Sequence, residues 1–114
     1  MFEFRNLEVY KKAKVFYNRA MILVNQKTFN RHVNDQLSRA SFSVVLNIAE
    51  GSGRATNPDR KRFFVISRSS VFECVAILDV MHDEGLVTNN QFEEMHERAD
   101  ELSRMLFVMT RNLS

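Results

Sequence analysis

The sequence predicts an all-α fold, an antiparallel up-down-up-down four-helix bundle. Three observations lead there. Glycine and proline together number only four in 114 residues, too few for the frequent turns of a sheet protein. Apolar residues recur at steps of three and four through four long segments. Those segments are separated by only a few residues each, which makes consecutive helices antiparallel neighbours. With 45% hydrophobic and 26% charged residues, the chain can bury a core and lacks the composition of a disordered segment. Its length suits one domain over residues 1–114.

The first helix is expected over residues 6–25. Leu7, Tyr10, Ala13, Tyr17, Ala20 and Val24 form its apolar line, and Lys11, Lys12, Lys14, Asn18 and Arg19 fill much of the rest. The second is expected over 32–50. Leu37, Ala40, Val44 and Ile48 make one apolar line with Val45 and Ala49 beside it. Gln36, Arg39, Ser43, Asn47 and Glu50 make a polar line, and Gly51 is placed to end the helix as its C-cap. The third helix is expected over 57–84, with Asn57 as cap, Pro58 in the first turn, Asp59 near the positive end of the dipole and Gly85 as the stop. The fourth is expected over 88–112. It opens on the capping-box pattern Thr88 to Gln91 and carries a heptad seam of Phe92, Met95, Ala99, Leu102, Leu106, Met109 and Leu113.

The third helix is too apolar for a solitary bundle. Between Val71 and Met81 its only charged residues are Glu73 and Asp79, about 120° apart on the helical wheel. A helix apolar nearly all round is expected to be buried on two sides. Self-association through the second side follows, with Phe63, Phe64 and Phe72 as candidate anchors for that interface or for the core, and Val80 as a further candidate interface residue.

Charge divides along the chain. Residues 1–70 hold thirteen Lys or Arg against five Asp or Glu, and residues 71–114 hold three against nine. Helix faces of opposite sign attracting one another, within the bundle or between subunits, account for this most simply. A basic surface for nucleic acid is the sharper alternative. Arg54, Arg60, Lys61 and Arg62 concentrate the positive charge around the chain's single proline, at a predicted helix start where an anion could sit. The pair Gly51 and Gly53 follows a helix rather than a strand and lacks a Lys-Ser or Lys-Thr, so a nucleotide-binding loop is disfavoured. The polar line Arg39, Ser43, Asn47 and Glu50 could meet Arg68, Ser70 and Glu73, most simply to fix helix register. A catalytic or small-ligand site around Asn47, Glu50 and Arg54 is the weaker alternative. His32, His82 and His96 fall on separate segments with no metal-ligand spacing, so no metal and no cofactor is expected. Cys74 lies among apolar residues and fits a core position in a reducing compartment. The charged opening and the lack of a run near the ~20 apolar residues that span a bilayer point to a soluble cytoplasmic protein without a membrane partner.

The stretch SRASFSVVLNIAEGSGR, followed by RFFVISRSSVFE, resembles the signature of the four-helix-bundle proteins encoded in intervening sequences of bacterial 23S rRNA genes (S23 ribosomal protein-like). The opening FRNLEVYKKA and the closing LSRMLFVM are similar to that family's ends. Asn47, Ile48, Ala49, Glu50, Gly51, Gly53 and Arg54 match its central motif, Arg39, Ala40 and Ser43 the stretch before it, and Ser70 and Glu73 the motif on the third helix. Tyr10, Val45 and Ser69 stand where Trp, Pro and Gly are common. The resemblance implies a ring-shaped homopentamer with no established enzyme activity, associated with ribosomal RNA or RNA generally. A related retroelement accessory protein partners a reverse transcriptase. The expected function is a non-enzymatic homo-oligomer binding RNA or an RNA–protein partner through basic patches. The alternative is a protein-binding scaffold or accessory factor with no direct nucleic-acid contact.

Overall fold

Four helices carry the chain: α1 Glu8–Asn25, α2 Arg31–Ser52, α3 Asn57–Asp83 and α4 Asn89–Asn112. The structure, a computed structural model, describes residues 1–113. Each helix touches its sequence neighbours, α1 also touches α4, and the diagonal pairs do not meet among the described residues. The result is an antiparallel up-down-up-down bundle with a long dimension of 44 Å, close to the roughly 40 Å that the 27 residues of α3 span.

Local signals explain most helix ends. A 3-10 turn at Glu3–Asn6 and an extended Leu7 delay α1 to Glu8, two residues later than its expected start. Its far end turns on Lys27, whose φ of 61° takes the left-handed conformation usually given to glycine. Asn30 then caps α2, accepting the Val33 N–H at 3.1 Å. The cap of α3 is Thr56 rather than Asn57: its hydroxyl accepts the Asp59 N–H at 3.4 Å, and Asn57 is already helical. Pro58 does lie in the first turn. α3 stops as expected at Gly85, at φ 76°, with the Leu86 N–H returning to the Met81 carbonyl at 2.9 Å. Thr88 and Gln91 close the expected capping box on α4.

The core follows from which stripe each helix turns inward. α4 buries Met95, Ala99, Leu102 and Leu106, the centre of its heptad seam. α2 buries Leu37, Ala40, Val44, Val45 and Ile48 as expected. α1 departs from expectation. It buries Val9, Ala13, Phe16, Ala20 and Leu23, while Tyr10, Tyr17 and Val24 flank the core half-buried and Leu7 is exposed.

α2 and α3 share the most extensive contact, and small polar residues let them approach. Ser67 donates to the Val44 carbonyl across the interface at 2.8 Å, and Ser41 returns its hydroxyl to the Leu37 carbonyl of its own helix at 2.7 Å. Both serines are fully buried and both are satisfied, as buried polar groups need to be. Cys74 is also fully buried. Burial, with a smaller push from the Glu73 carboxylate, raises its thiol to about 12. At pH 8 about one native thiol in ten thousand would then be ionised. The native protein is therefore expected to resist a thiol reagent at pH 8 and to react promptly once unfolded in urea. Stoichiometric labelling of the native form within minutes would place Cys74 at an accessible surface.

Part of the charge asymmetry is used inside the bundle. Lys12 pairs with Glu101 at 3.2 Å, and Arg19 grips Glu94 through two bonds of 2.9 Å, joining basic α1 to acidic α4. The hydrogen bond from Arg19 holds the Glu94 carboxyl below its usual range, against a smaller opposing effect of partial burial. A depressed carboxylate stabilises the fold above its unfolded pKa and loses that contribution as pH falls. The pair lies at the surface, so its contribution is small. Among the described residues no helix is long and apolar enough to cross a membrane.

Candidate nucleic-acid interface at the α2–α3 elbow

Gly51 is not the C-cap of α2. The helix runs on through Ser52, and Gly53 caps it in a right-handed conformation. Gly51 is buried because α3 passes close by. A Cβ there would lie 2.8 Å from Phe64 Cε1 and 3.0 Å from Phe63 Cβ, whereas one at Gly53 would meet nothing nearer than 3.6 Å. The first glycine thus admits the start of α3, and the second has room for a methyl group at ordinary contact distance. Gly51→Ala is expected to destabilise by about 1–3 kcal/mol through overpacking. Gly53→Ala is expected to be neutral or to stabilise by up to about 1 kcal/mol. Urea denaturation of the two variants checks the contrast, and equal effects would remove the close approach as the reason for Gly51.

The basic residues after this elbow divide into roles. Arg54 returns to Glu50 at 2.9 Å, one turn back on α2. Its guanidinium carbon lies 4.6 Å from the Phe63 ring centroid, and that of Arg62 lies 4.5 Å from the same centroid. Arg60 donates its Nε to the Arg54 carbonyl at 2.8 Å, bracing the loop. Arg62 reaches Asp59 only at 4.0 Å. Consecutive helical residues diverge by about 100°, so Lys61 leaves the helix in a different direction from Arg62. The sequence groups four cations; the structure brings two of them, Arg54 and Arg62, over one phenyl ring and sets Arg60 as the brace behind Arg54.

The polar line of α2 closes only in part. Ser43 and Ser70 share a hydrogen bond of 2.9 Å, and Asn47 donates to the carbonyl and the hydroxyl of Ser43 at 2.9 Å each. This links α2 to α3 and fits a register-fixing role. Arg39 and Glu73 are exposed and take no part in it. Arg68 turns the other way, donating to the Ser103 carbonyl of α4 at 3.1 Å, with its guanidinium 5.0 Å from the Phe72 ring and 5.4 Å from the Phe107 ring. Glu50 is engaged by Arg54 at the surface rather than in a cleft with Asn47.

The outward side of α3 carries Val65, Ser69, Phe72, Ala76 and Val80 in one row, exposed throughout. Phe72 is 57% and Val80 51% exposed. Phe64, grouped with them by sequence, is only 5% exposed and packs in the core, so it is withdrawn as an interface residue. Phe63 is half-buried under the two arginines.

Fold and surface together define a class: an antiparallel four-helix bundle with a serine-lined α2–α3 seam, a glycine-tightened basic elbow and an unpartnered apolar row. The family model of the 23S rRNA-intervening sequence proteins matches residues 5–108, and the chain belongs to that family. Among solved structures, it is similar to a protein of unknown function from the S23 ribosomal protein family of Bacteroides thetaiotaomicron VPI-5482. The identity is 20%, the TM-score is 0.84, and the match covers 90% of this chain and 97% of that one. At that identity the likeness speaks for the fold alone. A search of curated proteins found no match.

Proposed function

We propose that the chain acts as a non-enzymatic homo-oligomer, a homopentameric ring, that binds RNA or an RNA–protein partner through basic patches repeated around the ring. The arginine cluster at the α2–α3 elbow carries this reading, and membership of a family named for an rRNA intervening sequence supports it. The cations of the elbow would recur around the assembly axis. Each phosphate neutralised releases counterions, so binding would weaken steeply with salt, by a slope of roughly 0.7 per contact on a single strand. Titration of 23S rRNA fragments over a salt series is expected to give such a slope. Replacing Arg60, Lys61 and Arg62 by Gln is expected to lower both affinity and slope. Salt-insensitive binding, or none, would overturn the reading.

The second reading is a protein-binding scaffold without nucleic-acid contact. It draws on the apolar cleft between α3 and α4, where Val65, Phe72 and Phe107 surround Arg68. It requires a defined protein partner whose binding survives nuclease treatment and is lost on Phe107→Asp.

A further inference from the structure

We propose that the Arg54–Phe63–Arg62 layer is a stacking platform for an unpaired nucleobase, which makes single-stranded RNA the ligand class of the elbow. This rests on the RNA-binding reading and specifies its mode. Two guanidinium groups lie 4.6 and 4.5 Å from one phenyl centroid. A guanidinium held over a ring keeps its outer plane available, and nucleobases stack on such planes as they do on aromatic side chains. Both arginines already lie over the ring and beside a carboxylate before any ligand arrives, contacts that lower the rotamer cost of binding.

Charge alone explains this arrangement poorly. Glu50 and Asp59 offset half of the charge carried by Arg54, Arg60, Lys61 and Arg62, leaving a local balance of only +2. A site built for phosphates alone, or for an acidic peptide, gains nothing from carboxylates beside two of its arginines. Both carboxylates approach the Nη2 ends of those arginines, at 2.9 Å for Arg54 and 4.0 Å for Arg62. Among the described residues the Arg54 Nε is shielded and has no hydrogen-bond partner, so its pairing with Glu50 does not satisfy it fully. The side chains remain accessible, Arg54 at 40% and Arg62 at 59%. The brace from Arg60 to the Arg54 carbonyl fixes the loop that holds the layer. A duplex cannot use the platform, because its bases are already stacked and the A-form major groove is too deep and narrow for side chains. Stacking accepts every base, so sequence preference would be weak.

The test is fluorescence anisotropy at fixed salt with the full chain and four probes: a labelled 12-nucleotide single strand, its duplex, an abasic strand of equal length, and an acidic peptide. The single strand is expected to bind at least ten-fold tighter than the other three. Arg62→Lys keeps the charge and removes the plane, and Phe63→Leu keeps an apolar side chain and removes the ring. Each is expected to weaken single-strand binding about 5- to 100-fold with the salt slope unchanged. Arg62 is largely exposed, so its variant tests the platform even if Phe63→Leu perturbs the packing against Gly51. Equal binding of single strand, duplex and abasic strand, or indifference to Arg62→Lys, would overturn the platform while salt-dependent RNA binding still stood. Preference for the acidic peptide would overturn it in favour of a protein partner. No binding of any RNA would overturn both readings.

Discussion

Phe16→Ala is expected to lower the unfolding free energy by about 3–5 kcal/mol. Phe16 is fully buried, at the middle of α1 where Ala13 and Ala20 lie one turn to either side. Its inward neighbours on the helix are both alanine, and the long side chains one turn away, Lys12 and Arg19, are charged and paired with Glu101 and Glu94, so nothing apolar on α1 can fill the space a phenyl ring would leave. A domain of this size has roughly 5–15 kcal/mol in total, so the variant would lie near the edge of folding at 37 °C. Tyr17→Ala is the control. Tyr17 is half-buried and packs at the rim against Phe42, with ring centroids 5.2 Å apart. It is expected to cost about half as much or less. Urea denaturation checks the pair through the midpoint at unchanged m. A larger loss at Tyr17 than at Phe16 would mean that the inward stripe of α1 is the one its tyrosines mark.

That stripe is where reading the sequence went astray, and the cause is physical. α1 is rich in apolar residues, and two lines one residue apart both pass through Ala13 and Ala20. Periodicity alone cannot choose between them. The spacing puts the tyrosines on the inward line, yet a phenol buried at the centre would need a partner for its hydroxyl. At the rim each hydroxyl stays near water, and Phe16 and Leu23 fill the interior. α4 posed no such ambiguity: its polar residues leave one seam, and that seam is buried. The elbow was visible as composition, not as geometry. The glycine spacing suggested a cap, whereas Gly51 answers to the neighbouring helix, which no local pattern reports. Arg54 and Arg62 precede Phe63 by nine residues and one, so only the folded loop brings the Arg54 guanidinium over the ring that Arg62 adjoins. Arg68 was assigned to α2 by its place beside Ser70; about 160° of helical rotation separates the two positions, enough to turn Arg68 to α4.

Phe72→Asp combined with Val80→Asp is expected to convert the proposed oligomer to monomers with unchanged helix content. The outward row of α3 is already solvated in the single bundle, so charges there should leave the fold intact. Their effect falls on whatever covers the row. Val65, Ser69, Phe72, Ala76 and Val80 step by four, three, four and four residues, the spacing of a helix-packing seam. The small Ser69 and Ala76 leave hollows beside the large side chains, as a facing helix requires. A buried aromatic anchor at such a contact is worth about 2 kcal/mol or more, roughly thirty-fold in affinity. In a closed ring every subunit makes two contacts, so the loss compounds around the ring. Sedimentation of the wild type at micromolar concentration is expected to give an oligomer, and circular dichroism of the variant a folded bundle. Leu78→Asp, on the buried side of the same helix, should instead unfold the chain. A wild-type monomer, or a variant that sediments like the wild type, would remove this row as the assembly surface. The repeated basic elbow would then lose its multivalency, because a lone bundle presents the arginine layer once and must bind RNA through that single contact.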